Sequence, residues 1–181
     1  MTDIFMKFPE MDLGDVVLRE LRTGDAKEYF EYLTDEHVMK YVARTEVPAS
    51  VFAAESEMSY WSGLFKTGQS FYWAIADKKT DKMIGSCGFN YWRRQHNRVE
   101  LAYDLSYAFW GKGIMTRAVD AVTKFSLEKM LAQRIQATVV TDNDRSIKVL
   151  ERCGYKREGT LKKYFNLHNQ VKDSYMYGKV S

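Results

Sequence analysis

Two periods run along this chain. Some short stretches alternate apolar with polar residues or are apolar throughout, and others repeat apolar residues every three or four positions. The first kind predicts strands over 16–21, 71–76, 83–91, 98–105, 134–140, 155–161 and 172–180. The second predicts four helices. One runs through Tyr29, Phe30 and Leu33, with Asp25 and Glu28 as a capping box. Another runs through Phe52, Met58, Trp61 and Phe65, with Ser50 as N-cap. A third carries Ile114, Ala118, Val122 and Phe125, its stripe widened by Met115, Val119 and Met130. The last is short, holds Ile147, Leu150 and Cys153, and is closed by Gly154 as its C′ residue. Residues 35–49 have no clean period and contain Pro48, which reads as a loop or broken helix. The polar run 77–82 turns 71–76 and 83–91 into a hairpin, in which Gly85 and Gly88 mark a bulge or close packing. Residues 162–171 read as the connection between the last two strands.

The strand 98–105, the helix from Ile114 and the strand 134–140 make a β-α-β unit. Its two strands are therefore parallel with a right-handed crossover, while the hairpins on either side are antiparallel. The expected fold is a mixed, mostly antiparallel sheet with a central parallel unit and flanking helices. Ligands of open α/β sheets sit off the carboxyl ends of parallel strands. That places Leu105, the turn Phe109-Trp110-Gly111-Lys112-Gly113 and Asn143 around one crevice. Strand, glycine turn, helix also aims backbone N–H groups at an anion, and glycine lets the backbone approach closely at positive φ. The turn reads as a pyrophosphate cradle, with an ordinary strand-to-helix turn as the alternative. It is neither a P-loop, since no G-x-x-x-x-G-K-[ST] occurs, nor a G-x-G-x-x-G fingerprint, since the third glycine position holds Thr116.

Composition narrows this little. With 181 residues, 45% of them hydrophobic, the chain suits one domain spanning 1–181. A net charge of +3 does not call for nucleic acid. Two cysteines, Cys87 and Cys153, make no disulfide framework and fit a reducing cytoplasm. No signal peptide or membrane span is expected. His37, His96 and His168 lack metal-ligand spacing, so no metal is expected.

Three stretches then carry a resemblance. Glu100-Leu101-Ala102-Tyr103-Asp104-Leu105 followed by Phe109-Trp110-Gly111-Lys112-Gly113-Ile114 resembles the acetyl-CoA motif of the GNAT N-acetyltransferases, in the form E-I-G-Y-x-L with W-G-x-G of their RimJ/RimL-like branch. Asn143-x-x-Ser146 and Leu150-Glu151-Arg152-Cys153-Gly154-Tyr155 are similar to that branch's N-x-x-S and L-E-x-x-G-F. The resemblance implies a single GNAT domain in which two parallel strands splay and the pantetheine arm lies between them. It implies acetyl-CoA as cosubstrate, its pyrophosphate on the N–H groups of Gly111, Lys112, Gly113, Ile114 and Met115, with the Lys112 side chain at the rim. The pantetheine amides would meet backbone groups of Leu105 and Ser106.

The implied reaction is direct attack of a primary amine on the thioester. A base must take a proton from the amine, and Glu100, matching the motif's Glu, is the expected base or acceptor-orienting residue; partial burial would raise its pKa. Asn143 would hold the pantetheine arm or an amine-binding water, with helix capping as its plain alternative. Many GNAT enzymes place a tyrosine acid four residues before the glycine of G-F. Leu150 stands there instead, and Ser146 is the implied proton donor to the thiolate. The branch implies a protein N-terminal amine, such as that of a ribosomal protein, as acceptor. A small amine, polyamine or antibiotic is the alternative, and a silent acyl-CoA-binding module is the reading from another class. Tyr164, Phe165, Asn166 and 173–177 would wall the acceptor side. No nucleic acid or membrane partner is expected, and the chain would be a monomer or homodimer.

Overall fold

The computed structural model describes residues 4, 6–43 and 46–181. The elements are β1 (Met11–Asp12), β2 (Val16–Glu20), α1 (Ala26–Leu33), α2 (Glu36–Met39), α3 (Val51–Lys66), β3 (Tyr72–Asp77), β4 (Met83–Arg93), β5 (Arg98–Leu105), α4 (Ile114–Glu128), β6 (Arg134–Val140), α5 (Asp144–Arg152), β7 (Lys156–Leu167) and β8 (Gln170–Val180). The strands form one sheet in the order β1-β2-β3-β4-β5-β6-β8-β7. Neighbours are antiparallel except β5 and β6, which are parallel. The mixed sheet and its central β-α-β unit are as expected from the sequence.

Helices cover both faces, so the central strands bury both sets of side chains. On β3, Phe71 just before the strand, Trp73 and Ile75 join Phe89, Val99 and Leu101 against Val119 and Val122 of α4. Tyr72 and Ala74 turn the other way, to Tyr29, Tyr32 and Leu33 of α1 and Ala54 and Met58 of α3. This two-sided burial is why 71–76 reads as an apolar run rather than a clean alternation. No helix among the described residues is long and apolar enough to cross a membrane.

Two local expectations change, and one is made specific. Asp25 makes no side-chain cap on α1. The guanidinium of Arg19 is buried and requires a counter-charge. Asp25 supplies it, accepting from Nη1 and Nη2 at 2.8 and 2.7 Å and from the Arg22 N–H at 2.9 Å. Residues 162–171 are not a loop. After an irregularity at Lys163 (φ 51°), whose N–H donates to Asp173, β7 and β8 pair on from Phe165↔Lys172 to Leu167↔Gln170. The chain reverses at His168 and Asn169, both at positive φ. The stretch 35–49 contains α2, capped by Asp35, whose side chain accepts from the His37 N–H; its residues Arg44 and Thr45 lie outside the described residues. The Ser50 cap on α3 is present, accepting from the Ala53 N–H at 3.1 Å.

Gly88 is a site of close packing. A Cβ there would lie 2.6 Å from the Phe71 carbonyl oxygen and 2.6 Å from Tyr72 Cα, so the obstacle is backbone of the paired strand. Gly88→Ala is expected to destabilise the fold by about 1–3 kcal/mol, as overpacking does. Urea denaturation checks this, with Gly24→Ala, which meets nothing within 4 Å, as the control.

Candidate functional site

The site begins where the parallel pair stops. β5 and β6 pair only at Arg98↔Arg134, Val99↔Ile135 and Glu100↔Gln136, although both strands continue. On its other edge β6 stays paired to β8 over its full length, from Arg134↔Val180 to Val140↔Ser174. A bulge in β4 between Phe89 and Tyr91 faces Leu101 and Glu100, at the row where β5 leaves β6. Bulges bend a strand and increase its twist, which turns the second half of β5 away. A cleft of 630 Å³ opens there, bounded by the ends of β5 and α2, the glycine turn and α5.

Backbone polarity in the cleft follows from the ladder. Asp104 and Ala102 face Ser86 and Gly88 of β4, and the Ser106 N–H donates to the Ile84 carbonyl at 2.8 Å. Alternation therefore turns the backbone groups of Tyr103 and Leu105 toward the space that β6 has left. The Leu105 carbonyl accepts from the Trp110 indole N–H at 2.7 Å, which pins the turn to the strand end. Ser106, expected to offer backbone groups to a ligand, has both engaged: its carbonyl also accepts from the Phe109 N–H at 3.0 Å. The open groups are the Leu105 N–H and those of Tyr103.

At the cleft's far end Gly111 and Gly113 have φ of 77° and 73°. Nothing lies within 4 Å of a Cβ at either, so glycine is needed there for its backbone angle and not for space. The first bond of α4 runs from the Arg117 N–H to the Gly113 carbonyl. The N–H groups of Ile114, Met115 and Thr116 are thus without helical partners, at the positive end of the helix dipole. Ile114, Met115, Gly111 and Gly113 line the cleft as expected. Lys112 folds its ammonium over the Phe109 ring at 4.8 Å. The cations that line the cleft are Arg145, Lys148 and Arg152 of α5, which the sequence reading passed over. Their spacing of three and four residues puts them on one helical face, a signal present in the sequence.

Asn143 caps α5, its side-chain oxygen accepting from the Ser146 N–H at 3.2 Å, and both residues line the cleft. The Ser146 hydroxyl lies 2.7 Å from the Tyr103 hydroxyl, bridging α5 to β5. Burial holds the Tyr103 phenol above its ordinary range. Leu150, where a tyrosine acid was missed, is fully buried in the core. A phenol nevertheless stands in the cleft, supplied by Tyr103 from the neighbouring strand.

Glu100 and Asp104 share the sheet face toward α1. Glu100 is half-buried at the closed end of the splay, where its carboxylate accepts from the Gln136 amide at 3.2 Å. It lines a separate 280 Å³ hollow with Tyr91, Arg93, Arg98 and Val99. Asp104 lines the cleft itself. It accepts from the Tyr32 hydroxyl at 2.5 Å, from the Ser86 N–H at 3.1 Å and from the Ser86 hydroxyl at 2.8 Å. Burial raises its pKa from 3.8 to about 6 against the pull of those donors. Around it stand the phenols of Tyr29 and Tyr72, the Cys87 thiol and, beyond Tyr29, Glu57. Neither Asp104 nor Glu57 has a cationic partner among the described residues. Asp104 was missed because an aspartate in a strand reads as a solvated residue until α1 is packed over it.

The family model described as acetyltransferase (GNAT) domain matches residues 15–156. The chain is 32% identical over 162 residues to the uncharacterized N-acetyltransferase p20 of Bacillus licheniformis, covering 90% of each. It is 30% identical over 162 residues to the [ribosomal protein uS5]-alanine N-acetyltransferase of Escherichia coli (strain K12), covering 87% of this chain and 84% of that protein. The crystal structure of the microcin C7 self immunity acetyltransferase MccE, in complex with acetyl-CoA and AMP, superimposes with a TM-score of 0.87 at 21% identity, over 99% of this chain and 100% of that one.

The raised pKa of Asp104 has a stability consequence. A carboxyl whose folded pKa exceeds its unfolded value favours the fold fully below the unfolded pKa, and that contribution is lost as pH rises through the folded one. Relative to Asp104→Asn, the wild type is expected to lose stability between pH 3.8 and about 6, the window set by this group. Paired denaturation curves across that range check it, and the Asp104 carboxyl carbon followed by NMR should titrate near 6.

Proposed function

The chain belongs to the GNAT acetyltransferases, and from that premise we propose that it transfers the acetyl group of acetyl-CoA to the α-amine of a polypeptide N-terminus, the whole chain acting as one catalytic domain. The observation that carries the reading is the splay itself. It exposes a strand edge to a ligand, ends in unpartnered helix N–H groups and is flanked by Arg145, Lys148 and Arg152. An amide-bearing arm fits the edge as a substitute strand, and a pyrophosphate fits the helix N-terminus and its cations. The kinship with a ribosomal-protein alanine N-acetyltransferase supports the N-terminal acceptor.

In this reading Gly111, Lys112, Gly113, Ile114 and Met115 give backbone N–H groups to the pyrophosphate. Leu105 and Tyr103 bond the pantetheine arm, and Asn143 borders it. The acceptor enters from the α1 face. Glu100, held by Gln136 at the closed end of the splay, attracts the ammonium on its approach, and Asp104, in the cleft, takes its proton, directly or through water. Asp104 suits this role because it lines the cleft and holds its proton weakly near neutral pH. The neutral nitrogen then attacks the thioester carbonyl, and the Tyr103 N–H steadies the developing oxyanion. As the C–S bond breaks, Ser146 protonates the departing sulfur. Of the two protons left on nitrogen, one passes through the Tyr103 hydroxyl to Ser146, 2.7 Å from it, and the amide keeps the other.

Turnover followed as free CoA by mass spectrometry, over peptide N-termini, lysine peptides, polyamines and aminoglycosides, tests the acceptor. Turnover of peptide N-termini is the expected result; turnover of small amines alone would replace the acceptor while keeping the reaction. Ser146→Ala and Tyr103→Phe should each lower kcat by roughly tenfold or more with acetyl-CoA affinity retained. An unchanged kcat for Ser146→Ala would remove it from the mechanism. The rate should fall as pH drops below about 6, where Asp104 is protonated. Asp104→Asn should lower kcat by about 10²-fold or more and abolish that limb. Glu100→Gln should instead raise the acceptor KM while leaving the limb in place.

A further inference from the structure

Three arginines stand side by side across the sheet at its closed end. Register places Arg93 of β4 opposite Arg98 of β5, and Arg98 opposite Arg134 of β6. Residues in register share a face, and like charges in that arrangement repel. Among the described residues Arg134 has a carboxylate partner, Glu158, at 2.5 Å. Arg93 and Arg98 have none; the Arg93 guanidinium lies 5.1 Å from the centre of the Tyr91 ring. Arg93 is exposed and Arg98 half-buried, so both guanidiniums are accessible to an incoming anion.

The surroundings have the shape for such a ligand. Arg93 and Arg98 open onto a hollow of 840 Å³ between the end of α3 and the hairpin of β4 and β5. His96, Tyr60 and Tyr91 line it too. The same two arginines and Tyr91 line the smaller hollow that reaches Glu100. Through these shared residues the basic hollow adjoins the one that holds Glu100, at the closed end of the splay. Arg98 and Glu100 are two residues apart on one face of a strand, roughly 7 Å.

We propose that this hollow recognises acidic side chains of the acceptor polypeptide, with Arg93 and Arg98 binding carboxylates just downstream of the N-terminal amine. The inference rests on the peptide-acceptor reading above and adds its sequence class. A peptide with its amine beyond Glu100 and its chain extended along the sheet reaches the arginine row after about three to five residues, at 3.3–3.6 Å each. The planar guanidinium matches a carboxylate with two parallel hydrogen bonds, and the tyrosine rings cover the aliphatic part of the side chains. Glu100 then faces the ammonium while the arginines face the acids, so a peptide running the other way is opposed at both ends.

The test is a peptide series with identical first two residues and Glu, Gln or Lys at positions three to five, acetylated by the full chain at low and high salt. The Glu peptide is expected to exceed the Lys peptide in kcat/KM by roughly tenfold to a hundredfold at low salt, the range of one or two charge-assisted hydrogen bonds, with less at high salt. Arg93→Gln with Arg98→Gln should erase the preference through KM, with the KM for acetyl-CoA and the rate on the Gln peptide unchanged. Arg93→Glu with Arg98→Glu should invert it toward Lys, which a merely unfolded variant would not do. Peptides acetylated alike whatever their charge would overturn the arginine assignment and leave the peptide acceptor standing. Turnover of small amines but of no peptide would overturn both. Binding of a single-stranded oligonucleotide that is lost in the double variant, with no peptide preference, would reassign the hollow to nucleic acid.

Discussion

The separation of β5 from β6 is the constraint on which the site depends. A parallel pair that continued past Glu100 and Gln136 would satisfy its own backbone and leave no cleft. Because the pairing stops there, Tyr103 and Leu105 present polar groups to open space, and buried backbone groups require partners. The protein holds the strands apart from three directions. The bulge in β4 twists β5 away, the full-length pairing with β8 keeps β6 in place, and the hydroxyl bridge from Tyr103 to Ser146 spans the gap. The cleft is thus a place where the sheet is incomplete and a strand edge is left open.

Charge is sorted around this opening. The α5 side carries Arg145, Lys148 and Arg152 facing the glycine turn, a setting for phosphate. The α1 side carries Asp104, with Glu57 beyond Tyr29, among phenols and with no cationic partner for either carboxylate among the described residues. The two sides meet only through the splay, which is where a thioester from one side and an amine from the other would come together. The tip of the β7–β8 hairpin leans on α2 through His168, whose Nε2 is 2.8 Å from the Met39 carbonyl. The two stretches whose sequence gives least away about the acceptor therefore touch in the fold.

Much of the architecture was legible because it rests on local chemistry. The helical period from Ile114, the αL glycines Gly111 and Gly113, the Ser50 cap and the Gly154 terminator each declare themselves within a few residues. Asp25 misled because its position before a helix looks the same whether it caps or neutralises a buried arginine brought from β2. Residues 162–171 misled because two lysines and a bulge hide a ladder whose partner strand, rather than any periodicity, holds it extended.

The sequence by itself determined most of the elements, the parallel unit, the glycine turn before α4 and the place of Asn143 and Ser146 just after β6, since motif, period and turn chemistry act over short separations. Only the tertiary structure decided which side chains meet across the sheet. Tyr103 reaches Ser146 over 43 positions, Tyr32 reaches Asp104 over 72, and Arg93 faces Arg98 by register. Those encounters depend on where strands bulge, splay and stack against helices. A long-range contact leaves no periodic trace in the chain that makes it.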